Sequence, residues 1–200
     1  MSANLFQLPM DLPVPVDDGA AAHLEQVLLP CISLPSTDGT TVNLAAMEGQ
    51  WVIYVYPMTG RPGLPLPDGW DAIPGARGCT PQSCGFRDHY KELKQLRSGV
   101  FGLSTQTSEY QREARDRLHL PFQLLSDSLL QLKHSLHLPT FTAAGMELFK
   151  RMTLIVQQGR IKKVFYPVFP PDRNADDVLA WLRTDSQPDV TGDAPLAVRP

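Results

Sequence analysis

Several short stretches carry apolar residues too densely for a surface segment and too briefly for a helix. Residues 51–56 (Trp-Val-Ile-Tyr-Val-Tyr) are nearly all apolar and rich in β-branched and aromatic types. That is the pattern of a central strand buried on both faces. Residues 100–103 and 152–156 read the same way, and the latter turns at Gln157-Gln158-Gly159 into an alternating strand over residues 161–166. Earlier, Ser36-Thr37-Asp38-Gly39 separates Ile32-Ser33-Leu34 from Thr41-Val42-Asn43-Leu44, a hairpin signal.

Helical spacing fills the gaps. Phe86, Tyr90, Leu93 and Leu96 recur every three or four residues, predicting one amphipathic helix that ends near Gly99. A second is predicted from Ser108, with Gln111 completing an S-x-x-Q capping box, and with Tyr110, Ala114 and Leu118 on one side. A third follows Pro170-Pro171 and carries Val178, Trp181 and Leu182. Strands alternating with helices of this length imply a layered α/β domain with a mostly parallel centre and an antiparallel ending.

Two ends and one interior segment stand outside that rhythm. Residues 1–28 are rich in Pro and Asp and read as a loosely ordered extension with one possible helical turn near residues 20–27; residues 184–200 read as a flexible tail. The domain between them spans residues 29–183. Within it, residues 57–81 hold six prolines and five glycines around Trp70. This is too kinked for a regular element and too long for an ordinary strand-to-helix loop, so an insertion at about 58–78 is expected to have a function of its own.

Bulk properties narrow the field. Two hundred residues suit one domain with one sizeable core. A net charge of −3 gives no basic field for nucleic acid or an anionic membrane. The longest apolar run, residues 51–58, is far short of the roughly 20 residues a membrane span needs. The opening residues lack the basic start and apolar stretch of a secretory signal. Three cysteines are too few, and an odd number, for a secreted disulfide framework, which points to the cytoplasm.

The candidate chemistry lies in Gly78-Cys79-Thr80-Pro81-Gln82-Ser83-Cys84-Gly85-Phe86-Arg87-Asp88. This segment follows a buried strand and opens a helix, so Cys79 is expected in the first helical turn, where Pro81 is tolerated. Free backbone N–H groups there favour a thiolate. Lowering a thiol pKa from about 8.5 to about 6 takes about 3.4 kcal/mol. A helix terminus supplies at most about 2 kcal/mol, so a cation must help. Arg151, Arg77 and Arg87 are the candidates, and chain position does not choose among them. The spacing to Cys84 sets a second constraint. Residues five apart on an unbroken helix have Cα atoms roughly 8.6 Å apart, whereas a disulfide wants no more than about 7 Å. Joining the two must unwind the first turn, which makes the bond a redox event rather than a staple. A structural disulfide, a zinc site built on C-x4-C, and two unrelated buried cysteines are the competing readings. Cys31 stands alone before a strand and reads as an ordinary core or surface residue.

The same residues resemble the peroxiredoxins, specifically the Q-type or bacterioferritin-comigratory-protein group, over about residues 29–182. Gly78-Cys79-Thr80 with Gln82, Cys84, Phe86, Arg87 and Asp88 is similar to that group's active-site helix. Val100-Phe101-Gly102-Leu103-Ser104, Leu120-Pro121-Phe122-Gln123-Leu124-Leu125-Ser126-Asp127 and Arg151-x-Thr153-Leu154-Ile155 are similar to its other blocks, in the same order. The resemblance implies a thioredoxin-like fold, a central mixed β-sheet flanked by helices. It implies a peroxidase in which Cys79 becomes a sulfenic acid, Cys84 resolves it as an intramolecular disulfide, and thioredoxin or a similar dithiol recycles the enzyme. No metal or organic cofactor is implied, and either a monomer or a homodimer is compatible. It also nominates Arg151 as the supporting cation. Two departures stand out. The family's P-x-x-x-T-x-x-C is interrupted, with Ala76 three before Cys79, so Pro57 and Thr59 are read as its displaced remnants. Gln82 stands where the group commonly has Glu. A general thiol–disulfide oxidoreductase and a non-enzymatic redox-sensing module on the same fold remain the alternatives.

Overall fold

A run of apolar residues without polar alternation can be satisfied only between two covering layers. The computed structural model, which describes residues 5–185, meets that demand with a five-stranded mixed sheet. A hairpin of β1 (Ser33–Pro35) and β2 (Thr41–Asn43) precedes it, turning at Gly39 with φ +87°. The central strand β3 (Gln50–Val55) leads through the Pro/Gly-rich segment to helices α1 (Cys79–Asp88) and α2 (Tyr90–Gln95). Then come β4 (Ser98–Ser104), α3 (Ser108–Arg117), β5 (Leu124–Ser126) and α4 (Gln131–Leu136). A second hairpin, β6 (Thr140–Ala143) and β7 (Met146–Phe149), is followed by β8 (Met152–Gln157), β9 (Arg160–Phe165) and α5 (Asn174–Asp185). The sheet order is β5-β4-β3-β8-β9; β3, β4 and β5 are parallel, and β8 and β9 are antiparallel to their neighbours.

Alternation along β3 builds two cores. Ile53 and Val55 pack on one face with Leu103, Leu136, Phe149 and Leu154. Val52 and Tyr54 pack on the other with Phe86, Leu93 and Val178, which belong to α1, α2 and α5. Each such fully buried side chain stabilises the fold by about 1.5–3 kcal/mol. Tyr54 also fixes where α1 lies. Its ring stacks on Phe86 with centroids 4.7 Å apart, and its hydroxyl donates to Ser83 Oγ at 3.1 Å. The ring needs room, and Gly102 provides it from the opposing position on β4. A Cβ at Gly102 would come within 2.7 Å of the Tyr54 ring and 2.5 Å of Leu124.

The predicted strands and hairpin are present, with three corrections elsewhere. The helix expected through Leu96 is broken at His89, whose ring reaches Glu92 on α2 and Asp176 on α5. The α3 cap is Thr107, not Ser108: the Thr107 hydroxyl accepts from Tyr110 N at 3.3 Å. Gln111 therefore takes no part in a capping box. It is buried, accepting from Tyr56 Oη and donating to the carbonyls of Gln106 and Leu125. Third, residues 18–25 of the N-terminal segment are held in place. Ala21 and Leu24 enter the core, Asp18 accepts from Lys150 and Tyr166 at 2.5 and 2.7 Å, and Glu25 accepts from Lys163 at 3.1 Å. Composition misled there because the ordering comes from contacts more than a hundred residues away in sequence. At the other end Thr184 and Asp185 complete α5, and the rest of the expected tail lies outside the described residues.

The elements not foreseen have weak local signals. β5 has three residues. α4 is bracketed by Leu130 and His137, both left-handed and neither a glycine. The β6–β7 turn uses Ala144-Gly145, both at positive φ, where Asn-Gly would have announced it.

Candidate functional site

α1 begins at Cys79 because Gly78 ends the preceding loop in a conformation other residues resist, φ +108°. A side chain there would also collide with Pro171 at 2.3 Å and Leu8 at 2.9 Å. The thiol is therefore held at the first helical position, 3 % exposed, within the buried cluster that holds Tyr54 and Phe86.

One guanidinium reaches it. Arg151, immediately before β8 and itself 3 % exposed, directs Nη2 to Cys79 Sγ at 3.2 Å. The same group donates to the carbonyls of Gly75, Ala76 and Arg77 at 3.2, 3.1 and 3.2 Å, and through Nη1 to Gln82 Oε1. Thus Arg151 clamps the last turn of the loop while pointing at the sulfur. All these partners are neutral, and among the described residues no carboxylate lies in ion-pair range of Arg151. Its charge is left for the sulfur. Two unit charges 4 Å apart attract by about 4 kcal/mol at an effective dielectric of 20, against at most about 2 kcal/mol from a helix terminus. The guanidinium is the larger influence.

The other two arginines are occupied elsewhere. Arg77 lines the cavity above Cys79 but pairs with Asp71 at 3.3 Å. Arg87 lies at the far end of α1, bonded to Asp88 and to the carbonyl of Leu118. Its charge bears on Cys84, three residues before it on the same helix. Cys84 is half-buried, and that burial pushes its thiol above the usual range, so it is protonated at neutral pH. Both cysteines are free and lie on the same helix.

Gln82 is fully enclosed. Its Oε1 accepts from Arg151, and its Nε2 donates to Asn174 Oδ1 at 2.9 Å. Asn174 Oδ1 also accepts from Thr153 Oγ1 at 2.7 Å. Neither Asn174 nor Thr153 was legible as a site residue: a polar residue after Pro-Pro reads as a helix start, and a Thr in a strand reads as a strand.

Thr59 is not brought to the sulfur. Its N–H and hydroxyl both go to Gln106 Oε1, at 2.9 and 3.3 Å, and its carbonyl accepts from Tyr110 Oη. Its neighbours Met58 and Gly60 line the cavity over Cys79, as does Thr80, but Thr59 does not. Replacing Thr59 by Val is expected to leave peroxide turnover within about threefold of wild type, the loss of one peripheral hydrogen bond. A much larger fall in initial rate would return this hydroxyl to the reacting centre.

The loop and the N-terminal segment close over the thiol. Leu5, Met58, Leu66 and Trp70 wall a cavity whose interior is about 10 Å³, room for about one water-sized molecule. Gly60 lets them converge: a Cβ there would meet Leu5 at 2.8 Å and Leu66 at 3.1 Å. Cys31, by contrast, is exposed and accepts from Asn43 Nδ2. Among the described residues no three His, Cys, Asp or Glu side chains converge as metal ligands, and no helix is long and apolar enough to cross a membrane.

Known proteins are similar to this chain in sequence and fold. Residues 25–179 match the family described as Redoxin. Peroxiredoxin bcp1 of Schizosaccharomyces pombe is 31 % identical over 185 residues, covering 90 % of this chain and 85 % of its own. Peroxiredoxin Bcp of Escherichia coli K12 is 32 % identical over 161 residues, covering 78 % and 93 %. Among solved structures, peroxidoxin BcpB of Mycobacterium tuberculosis superposes with a TM-score of 0.64 at 25 % identity, covering 80 % and 96 %.

Proposed function

The chain belongs to the redoxin family, among the thiol peroxidases named peroxiredoxin Q or Bcp, and from that premise we propose that Cys79 is its peroxide-reducing sulfur and Cys84 its resolving one. The observation that carries this reading is the un-neutralised Arg151 guanidinium 3.2 Å from Cys79 Sγ at the start of α1. The Cys79 thiolate attacks the terminal oxygen of the peroxide. The O–O bond breaks with its electron pair on the leaving oxygen, which takes up a proton and departs as water or an alcohol. Arg151 and the free N–H groups of the first turn stabilise the charge as it moves. Cys84 then condenses with the sulfenic acid, its thiol hydrogen and the sulfenic hydroxyl leaving as water. The redox-active disulfide is reduced by a dithiol of the thioredoxin type through a mixed disulfide. A reducing compartment such as the cytoplasm suits that recycling. Residues 29–183 form the catalytic domain in this reading, with the insertion as a roof over the sulfur.

The test is stoichiometric. Reduced protein given one equivalent of hydrogen peroxide should consume it and lose the thiols of Cys79 and Cys84 together, with thioredoxin restoring both. Oxidation of Cys79 no faster than free cysteine would remove the proposal.

The roof sets an expectation about size. A cavity with room for about one water-sized molecule admits hydrogen peroxide more easily than a bulky organic hydroperoxide. A misfit of even one methylene group in a tight pocket costs about tenfold or more. Hydrogen peroxide should therefore exceed cumene hydroperoxide in kcat/KM by at least about tenfold. Leu5→Ala and Leu66→Ala should each narrow that ratio. Equal kcat/KM for the two peroxides in wild type would show that the roof does not select.

A further inference from the structure

The hydrogen bonds that aim Arg151 at Cys79 also hold shut the helical turn that disulfide formation has to open. Gln82 lies between the two cysteines on α1, and its backbone N–H makes the first-turn bond to the Gly78 carbonyl at 3.0 Å. Its side chain is bonded on both sides: Oε1 to Arg151 and Nε2 to Asn174 Oδ1. Asn174 is the first residue of α5, and the same oxygen accepts from Thr153 on β8. One amide oxygen thus ties α1, α5 and β8 together, and Gln82, Thr153 and Asn174 are each at most 1 % exposed.

Closing the gap between Cys79 and Cys84 from roughly 8.6 Å to the 7 Å or so of a disulfide displaces Gln82. That strips Asn174 Oδ1 of one donor and Arg151 of one acceptor, at side chains at most 3 % exposed to bulk solvent. The network therefore works against resolution while it favours the attack on peroxide.

We propose that Asn174 is a positioning residue, the keeper of a latch that sets how long the Cys79 sulfenic acid stays in the folded pocket before Cys84 captures it. The proposal rests on the roles given above to Cys79 and Cys84. It has a consequence under high peroxide. A sulfenic acid held in place can meet a second peroxide, which transfers one oxygen to sulfur, giving sulfinic acid and water or alcohol. The latch thereby fixes the peroxide level at which the enzyme is inactivated.

Asn174→Ala removes the shared acceptor. Rapid mixing of reduced full-length protein with hydrogen peroxide, followed by acid quench and mass analysis of sulfenic acid, disulfide and sulfinic acid, separates the two steps. In Asn174→Ala the oxidation of Cys79 should slow by about threefold or more, while disulfide formation accelerates by about tenfold. The sulfinic fraction at high peroxide should fall accordingly. Thr153→Val, a smaller change that keeps the core volume, should move both phases in the same directions; Thr153→Ser, which keeps the hydroxyl, should lie nearer wild type in both. The signature is the opposite movement of the two steps together with its recovery in Thr153→Ser, which restores the hydroxyl bond to Asn174 without restoring the threonine methyl that a mere packing role would need. Disulfide formation unchanged or slower in both Asn174→Ala and Thr153→Val overturns the latch. Wild-type protein that forms no sulfenic acid or no Cys79–Cys84 disulfide refutes the underlying roles instead, and the latch with them.

Discussion

Cys79→Ser is expected to lower peroxide consumption by at least about a thousandfold, to the level of a protein without a nucleophile. A serine hydroxyl does not ionise near neutrality, and it forms no stable oxidised acid to carry the reaction on. Cys84→Ser should behave differently. Its Cys79 still meets peroxide beside Arg151, so one equivalent is consumed and a sulfenic acid accumulates. Recycling by thioredoxin then fails, because no second thiol on α1 completes the disulfide. Cys31 is exposed and accepts a hydrogen bond from Asn43 Nδ2, away from the α1 thiols in sequence. The measurement is coupled turnover alongside mass analysis of each variant after one equivalent of peroxide. Sustained recycling of Cys84→Ser at the wild-type rate would require another resolving thiol and would end the assignment of Cys84.

The second large effect concerns Arg151. Replacing it by Met should slow oxidation of Cys79 by about a hundred- to a thousandfold, as removal of one charge-stabilising donor does in other enzymes. Arg151→Lys should recover only part of this. An ammonium donates from one point and cannot reach the three loop carbonyls, Gln82 and the sulfur together. Because the pair is buried, added salt should change the wild-type rate little. The readout is the second-order rate constant from competition with a calibrated peroxidase, with thermal unfolding followed in parallel. A Met variant that oxidises at the wild-type rate with its fold intact would leave the thiolate without its proposed cation. If only stability falls, Arg151 is a clamp for the loop and nothing more.

Much of this is legible in the sequence itself. The strand over residues 51–56 declares itself because burial on both faces demands unbroken apolar residues. Cys79 at a helix start follows from its place between a buried strand and an amphipathic helix, with Pro81 tolerated in the first turn. The distance between Cys79 and Cys84 follows from helix geometry alone. Local signals failed where two readings share one pattern. The periodicity from Phe86 to Leu96 runs across a break at His89 because α2 keeps nearly the same face buried. Ser108 and Thr107 are equally good caps on paper, and only the direction of Gln111, drawn inward to Tyr56, decides between them.

What the chain determined by itself was its candidate nucleophile, the helix that presents it, and the buried strands that support it, since each depends on residues within a few positions of one another. Resemblance nominated Arg151 among the three arginines, but only the tertiary structure brings it to the sulfur across 72 residues of sequence, and only it brings Asn174 to Gln82 across 92. Tertiary structure also turned a proline-rich leader and an irregular loop into a roof over Cys79. Periodicity and capping describe neighbours along the chain; charge acts through space, and the partners it finds are set by how the sheet and helices are stacked.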